Sequence, residues 1–207
     1  MRWEEPPYSH RHALHILENH PDYSDLWKEV TEALRSISDE EIIEHFEQHY
    51  AHTAKSISKS LNALIRERLT EYGWSPESPI FSDPGFPEKA WRLDFAKRDV
   101  SIEVGFNHGE AAAWNLMKPV LASELNHVKK AIQTSIGIVI AVTEEMKAAG
   151  GFDSAVGTTD KYIRSLKAMN AYVTVPIAII GLRAPESFSI VHFAAGPNKT
   201  LGRVERR

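Results

Sequence analysis

The sequence predicts an α/β fold, a mixed central sheet flanked by helices with a mainly helical N-terminal part, and three observations lead there. Up to about residue 73, apolar side chains recur at helical spacing. Residues 91–106 switch to the strict alternation of strands. Beyond them, short apolar runs alternate with helical stretches, the pattern of strands joined by helices.

In the helical part, residues 25–37 place Leu26, Val30 and Leu34 on one face. Ser38-Asp39-Glu40-Glu41 is a capping box opening a second helix through about Tyr50. Residues 57–72 form a third, with Leu61, Leu64, Ile65 and Leu69 together and Gly73 as its stop. The Pro-, Gly- and Ser-rich stretch 75–87 reads as loop. Residues 91–95 and 100–106 read as two strands around the polar turn Ala96-Lys97-Arg98-Asp99. In the second, Val100, Ile102, Val104 and Phe106 face one way, and Ser101, Glu103 and Gly105 the other. A helix over about 111–131, a buried strand over 135–142, a helix over 159–169 and a strand over 173–181 complete the core. The chain, 1–207, reads as one domain: a mainly helical part (1–73), a catalytic core (90–183) and a C-terminal strand and tail (184–207).

Composition narrows the function. An apolar share of 43% and a charged share of 25% are those of an ordinary globular protein. No run of eighteen apolar residues is present, and the opening Met1-Arg2-Trp3-Glu4-Glu5 lacks the apolar centre of a secretory signal. The absence of cysteine excludes disulfides, thiol nucleophiles and thiolate metal sites, and fits a cytoplasmic setting. The net charge of −4 counts mildly against nucleic-acid binding. A nuclease, however, can confine its basic residues to one cleft while metal ions neutralise its acids.

Asp94 and Glu103 are the leading chemical candidates. On paired strands, side chains opposite or diagonal on one face lie roughly 5–8 Å apart. Two carboxylates that close repel unless a cation lies between them, and a hard divalent ion such as Mg²⁺ prefers oxygen ligands. Such an ion activates water and stabilises the charge of a phosphodiester under attack. On pattern alone, an acidic pair on a hairpin reads more readily as two solvated polar positions.

The wider text shifts that balance. The segment Leu93-Asp94-Phe95-Ala96-Lys97-Arg98-Asp99-Val100-Ser101-Ile102-Glu103-Val104 closely resembles the active-site hairpin of the BglII/BstYI type II restriction endonucleases, members of the PD-(D/E)xK nuclease superfamily. Tyr8-Ser9-His10 is similar to that family's opening, Asn62 through Trp74 to its helix ending in Trp, and Val175 through Leu182 to its late core strand, all in the same order. The resemblance implies a restriction-endonuclease-like core and Mg²⁺-dependent hydrolysis of double-stranded DNA. It also implies a palindromic, GATC-like site read by a homodimer, with a cognate DNA methyltransferase acting separately. Carried over by residue, Asp94 and Glu103 become metal-binding carboxylates and the Val104 carbonyl a further ligand. Glu77 falls where relatives place an Asn or Glu near the metal, with an exposed loop acid as the alternative. Asn107 and His108 follow the catalytic strand, where relatives read base edges; the alternative is a simple turn. Gly157-Thr158-Thr159 looks like a second recognition loop, or else a helix N-cap.

One position departs. The family's third motif residue, two after the glutamate, is Gln, and Lys or Glu in broader relatives; here it is Gly105. Either another group fills its place or the chain is a catalytically impaired nuclease-fold module that binds DNA or a protein. Asn107, His108 and Lys118 are the candidates, in that order. His45, His49 and His52 with Glu41 read as an exposed polar helix face rather than a zinc site. The basic tail, residues 203–207, reads as disordered, with phosphate contact as the alternative.

Overall fold

The computed structural model describes residues 1–85, 91–124, 129–197 and 199–207. A short strand, β1 (Tyr8–His10), precedes four helices: α1 (Ala13–Asn19), α2 (Pro21–Ser36), α3 (Asp39–His49) and α4 (Ser58–Glu71). Local chemistry sets their ends. Pro21 opens α2, where a missing N–H costs nothing. The Ser38 hydroxyl accepts from the Glu41 N–H at 3.2 Å, and Asp39, Glu40 and Glu41 crowd the first turn of α3, where the helix dipole favours acids. Gly73, with φ of 80°, ends α4 in the left-handed conformation that glycine adopts most easily.

The sheet elements follow as β2 (Ser75–Pro79), β3 (Arg92–Lys97), β4 (Val100–Val104), β5 (Ile136–Val142) and β6 (Ile177–Leu182). Between them lie α5 (Ala111–Ser123), α6 (Glu144–Ala149) and α7 (Thr159–Ala168). The strand order is β1-β6-β5-β4-β3-β2, with β4, β5 and β6 parallel and the outer pairings antiparallel. Parallel neighbours require crossovers, and α5, then α6 and α7, supply them. The central strand β5 is buried at every position, as a strand covered on both faces must be. Its Ile138, Ile140 and Val142 join the core under α1–α4, while Val139 and Ala141 join that under α5 and α7. The same parity holds in β4: Val100, Ile102 and Val104 enter the first core, so Ser101 and Glu103 turn toward the α5 side.

Several expectations change. Residues 75–79 are an edge strand rather than a loop; its prolines are tolerated because an edge needs donors on one side only. The last core strand begins at Ile177, because the Val173 carbonyl is instead bonded by the side chains of His10 and Arg11. The helix expected through 131 ends at Ser123; residues 125–128, and residues 86, 87 and 90 of the expected loop and core boundary, lie outside the described residues. The expected C-terminal strand and tail is a hairpin, β7 (Phe188–Gly196) and β8 (Lys199–Arg206). Phe188 and Ile190 anchor it in the core, and Arg206 makes a two-pronged ion pair with Glu40 at 2.7 and 2.6 Å, so the basic tail is ordered.

The β3–β4 hairpin is tied to the helical part by one cation. Lys97 Nζ donates to both oxygens of Glu29 on α2 at 2.8 Å and to the Tyr72 carbonyl at the end of α4 at 2.6 Å. Trp74 Nε1 donates to the same Glu29. Lys97→Met should lower unfolding free energy by on the order of 2 kcal/mol, the range for losing a hydrogen bond to a charged group. Urea denaturation measures this, and an unchanged midpoint would contradict the anchoring role.

Candidate active site

Sheet register assembles the site. Pro76 pairs with Phe95 and Ser78 with Leu93, so Glu77 falls opposite Asp94. Phe95 pairs with Ile102, and the next step along the hairpin sets Asp94 against Glu103. Three carboxylates from three neighbouring strands thus form one row across the sheet. At this point β3 and β4 part, and the Val104 N–H donates to Asp94 Oδ2 at 2.7 Å. Glu77 has φ of 52°, a left-handed backbone that costs a non-glycine residue about 1–3 kcal/mol and commonly marks functional sites.

The acids occupy different depths. Glu77 is exposed, Asp94 half-buried and Glu103 0% exposed. Lys118 of α5, itself 9% exposed, donates to Glu103 Oε2 at 2.6 Å. Glu103 Oε1 is buried without a hydrogen-bond partner. Burial, then repulsion from Asp94, pushes the Glu103 carboxyl well above the usual carboxylate range, while Lys118 pulls it back. Burial also raises Asp94, with Lys118 and the Val104 N–H opposing and Glu77 adding to the rise. Asn62 and Arg66 of α4, with Glu77, Asp94, Phe95, Val104 and Asn107, line a cleft of about 270 Å³ above this row.

Position 105 is not vacant space. A Cβ built there would lie 2.6 Å from Cζ of Tyr162, whose ring fills the volume. Tyr162 is 1% exposed, and Asn115 Nδ2 donates to its hydroxyl at 2.8 Å.

The structure therefore gathers Glu77, Asp94, Glu103, Val104 and Asn107 at one place. His108 lies in an adjoining groove of about 330 Å³ with Thr158, Gly157 and Lys161. Thr158 and Thr159 are only 3% and 5% exposed, and their hydroxyls donate to Glu144 Oε1 and the Val142 carbonyl. Thr158 stands at the N-cap of α7, but its side chain makes no capping bond. Of the candidates named for position 105, it is the last, Lys118, that touches Glu103. Sequence reasoning missed Asn62, Arg66, Asn115 and Tyr162. Asn62 and Arg66 are four apart on the polar side of α4, and Asn115 and Lys118 three apart on α5, spacings that signal a shared face.

The profile of the restriction endonuclease BglII/BglIII family matches residues 7–182. The chain belongs to the BglII/BglIII restriction endonuclease family. It is accordingly a type II restriction endonuclease, a hydrolase. Two solved structures share its fold over 100% of both chains: restriction endonuclease BglII complexed with a DNA 16-mer (19% identity, TM-score 0.67) and free BglII (18% identity, TM-score 0.57). A search of curated proteins found no match. Among the described residues, no helix is long and apolar enough to cross a membrane.

The acids also govern stability. A carboxyl whose pKa is raised on folding stabilises the fold while protonated, and that contribution is lost as pH rises through its folded pKa. Without divalent cations, Asp94→Asn should therefore melt a few degrees above the parent at pH 8, since the amide removes a charge that burial and Glu77 oppose. The gap should close as pH falls below the carboxylate range. Thermal melts in EDTA across pH test this, and a parent that outlasts the variant at pH 8 contradicts it.

Proposed function

We propose that this endonuclease hydrolyses phosphodiesters of double-stranded DNA with Mg²⁺, as a homodimer, at a palindromic GATC-like site. The observation that carries the reading is the buried Glu103 oxygen left without a partner in a row of three acids. A buried acceptor of this kind calls for an occupant. The donors are hard oxygens, and Lys118 is the one cation that contacts the buried pair among the described residues, which suits a divalent ion. Among the described residues no three His, Cys, Asp or Glu side chains form a metal cage. The proposed ligands are two carboxylates, Asp94 and Glu103, and the Val104 carbonyl, which leaves positions for water and phosphate as Mg²⁺ sites commonly do. When bound, the ion supplies Lewis-acid stabilisation of phosphate charge and makes water nucleophilic at neutral pH.

The protein's own groups have separable tasks. The Val104 N–H holds Asp94 in place, and Lys118 holds Glu103. Glu77 adds an acid at the exposed end of the row. On the opposite wall, Arg66 has no ion-pair partner among the described residues, whereas Arg68 on the same helix engages Glu41, Glu67 and Glu71. An unpaired guanidinium facing a cleft is suited to a DNA phosphate, with Asn62 as a second donor. Asn107 and His108, both exposed, are placed to reach base edges, while Thr158 and Thr159 need to break internal bonds to do so. The DNA 16-mer held by the similar BglII structure supports duplex DNA as substrate. A palindrome is matched by a two-fold dimer. A separately acting methyltransferase would protect host DNA.

Plasmid DNA, methylated and unmethylated, incubated with the protein and Mg²⁺ should yield discrete fragments whose ends define the site. EDTA, Asp94→Asn or Glu103→Gln should abolish cleavage and leave duplex binding intact or tighter, because negative charge near phosphate is removed. Duplex binding without any cleavage would favour the impaired binding module instead. Light scattering should give twice the chain mass of 23.3 kDa. A strict monomer, with and without DNA, would point to a nicking enzyme.

A further inference from the structure

We propose that Lys118 is the positioning residue that stands in for the side chain missing at position 105, acting through Glu103, an inference that rests on the nuclease reading above. The replacement comes in two parts, volume from Tyr162 and charge from Lys118.

Gly105 shares a face with Glu103 because strands repeat every two residues. Any larger residue at 105 must displace the Tyr162 ring, whose Cζ and Cε2 would lie 2.6 and 2.8 Å from its Cβ. Tyr162 has nowhere obvious to yield, being buried and bonded to Asn115. Asn115 sits one turn before Lys118 on α5, so the bond that seats Tyr162 also sets the face that α5 turns to β4. Pro119 follows directly, and a Cβ at Gly137 of β5 would lie 3.0 Å from Pro119 Cβ and Cγ. Glycine at 137 lets α5 approach the sheet closely enough for Lys118 to reach Glu103 Oε2 at 2.6 Å.

The ion pair is not built as a self-sufficient structural one. A buried pair held for stability needs its remaining lone pairs satisfied. Here Glu103 Oε1 has no partner, and the same ammonium is the cation that acts on Asp94. One oxygen of Glu103 is therefore clamped from the α5 side and the other is buried without a partner. Of the other candidates, Asn107 lines the open cleft and His108 the adjoining groove, and neither bonds Glu103.

The test uses the full chain with Lys118→Met, Lys118→Arg and Lys118→Gln, read by duplex affinity in EDTA, melting temperature and single-turnover cleavage with Mg²⁺. Lys118→Met should keep duplex affinity and lose about 10–100-fold in cleavage rate, the usual effect of removing a group that orients a metal ligand. Lys118→Arg should recover part of that loss. Gly105→Gln alone should melt lower than the parent, because Tyr162 occupies its place. In the Lys118→Met background, Gly105→Gln with Tyr162→Ala should regain activity, which a merely structural ion pair would not allow. Lys118→Met cleaving like the parent overturns the proposal, as do equal losses in the Met and Arg variants. If Lys118→Met does not fold, the comparison passes to Gln and Arg: Arg above Gln supports the role, and equal rates overturn it. A parent that neither binds nor cuts duplex DNA defeats the nuclease reading and this inference together. A parent that cuts only with Asp94 intact, beside an unaffected Lys118→Met, defeats this inference alone.

Discussion

A carboxylate removed from water stays charged only where another charge reaches it, and strand β4 carries such a carboxylate at Glu103. Burying an ion carries a penalty of several kcal/mol, and an unpaired acceptor adds about 1–3 kcal/mol. The architecture around β4 answers that demand. Its alternation hands Val100, Ile102 and Val104 to the helical core and leaves Glu103 for the other side. There α5 must come close, which the glycine at 137 permits and Asn115, through Tyr162, aligns. The deficit left at Glu103 Oε1 and at Asp94 is held in place by apolar packing on both faces of β5. The site is therefore a local weakness sustained by the apolar packing around it.

What could be read from the sequence was whatever shows in short-range periodicity. The helices α2, α3 and α4 announce themselves by apolar spacing and by Ser38 and Gly73 at their ends. The β3–β4 hairpin shows in its alternation, and the same alternation separates Glu103 from its apolar neighbours. Strand β2 was hidden, because Ser-Pro-Glu-Ser-Pro has no strand propensity; it is held by pairing with β3, a long-range event. Of the C-terminal hairpin only one strand was legible, for a similar reason. Its outer half is largely exposed, and its order comes from Phe188, Ile190 and the Arg206–Glu40 pair. Lys118 was visible only as one of several groups within reach of Gly105. Choosing it required the distance between α5 and the sheet, and Pro119 against Gly137 sets that distance.

Glu77 illustrates how an unpromising local sequence becomes part of a site. Its segment looks like a loop acid, and it is indeed exposed. Pairing of β2 with β3 nevertheless holds it opposite Asp94, while its left-handed backbone breaks the regular ladder at that residue. The resulting charge raises the Asp94 carboxyl further. A third acid beside the buried Glu103 and the half-buried Asp94 adds to the repulsion there. On the proposed function, a bound cation would offset that repulsion.

The groove beside the cleft shows how reading and cutting are joined on the proposed function. The backbone runs from Glu103 through Gly105 to Asn107 and His108 without a break, so the strand that carries the acid also carries the first reading groups. This segment is stitched to the loop before α7: Gly109 N–H donates to the Ala155 carbonyl at 2.7 Å and Gly157 N–H to the Asn107 carbonyl at 3.0 Å. Glycine at 157 eases this close approach, since a Cβ there would lie 3.0 Å from the Gly109 Cα. The buried threonines at 158 and 159 fix the start of α7 against Glu144 and β5, and Thr158 also lines the groove. Exposed His108, Glu110, Glu144, Ser154, Lys161 and Arg164 are what the groove offers to a partner. Two backbone bonds join the loop before α7 to the segment after β4, and Tyr162 of α7 packs onto Gly105 beside the acid's strand.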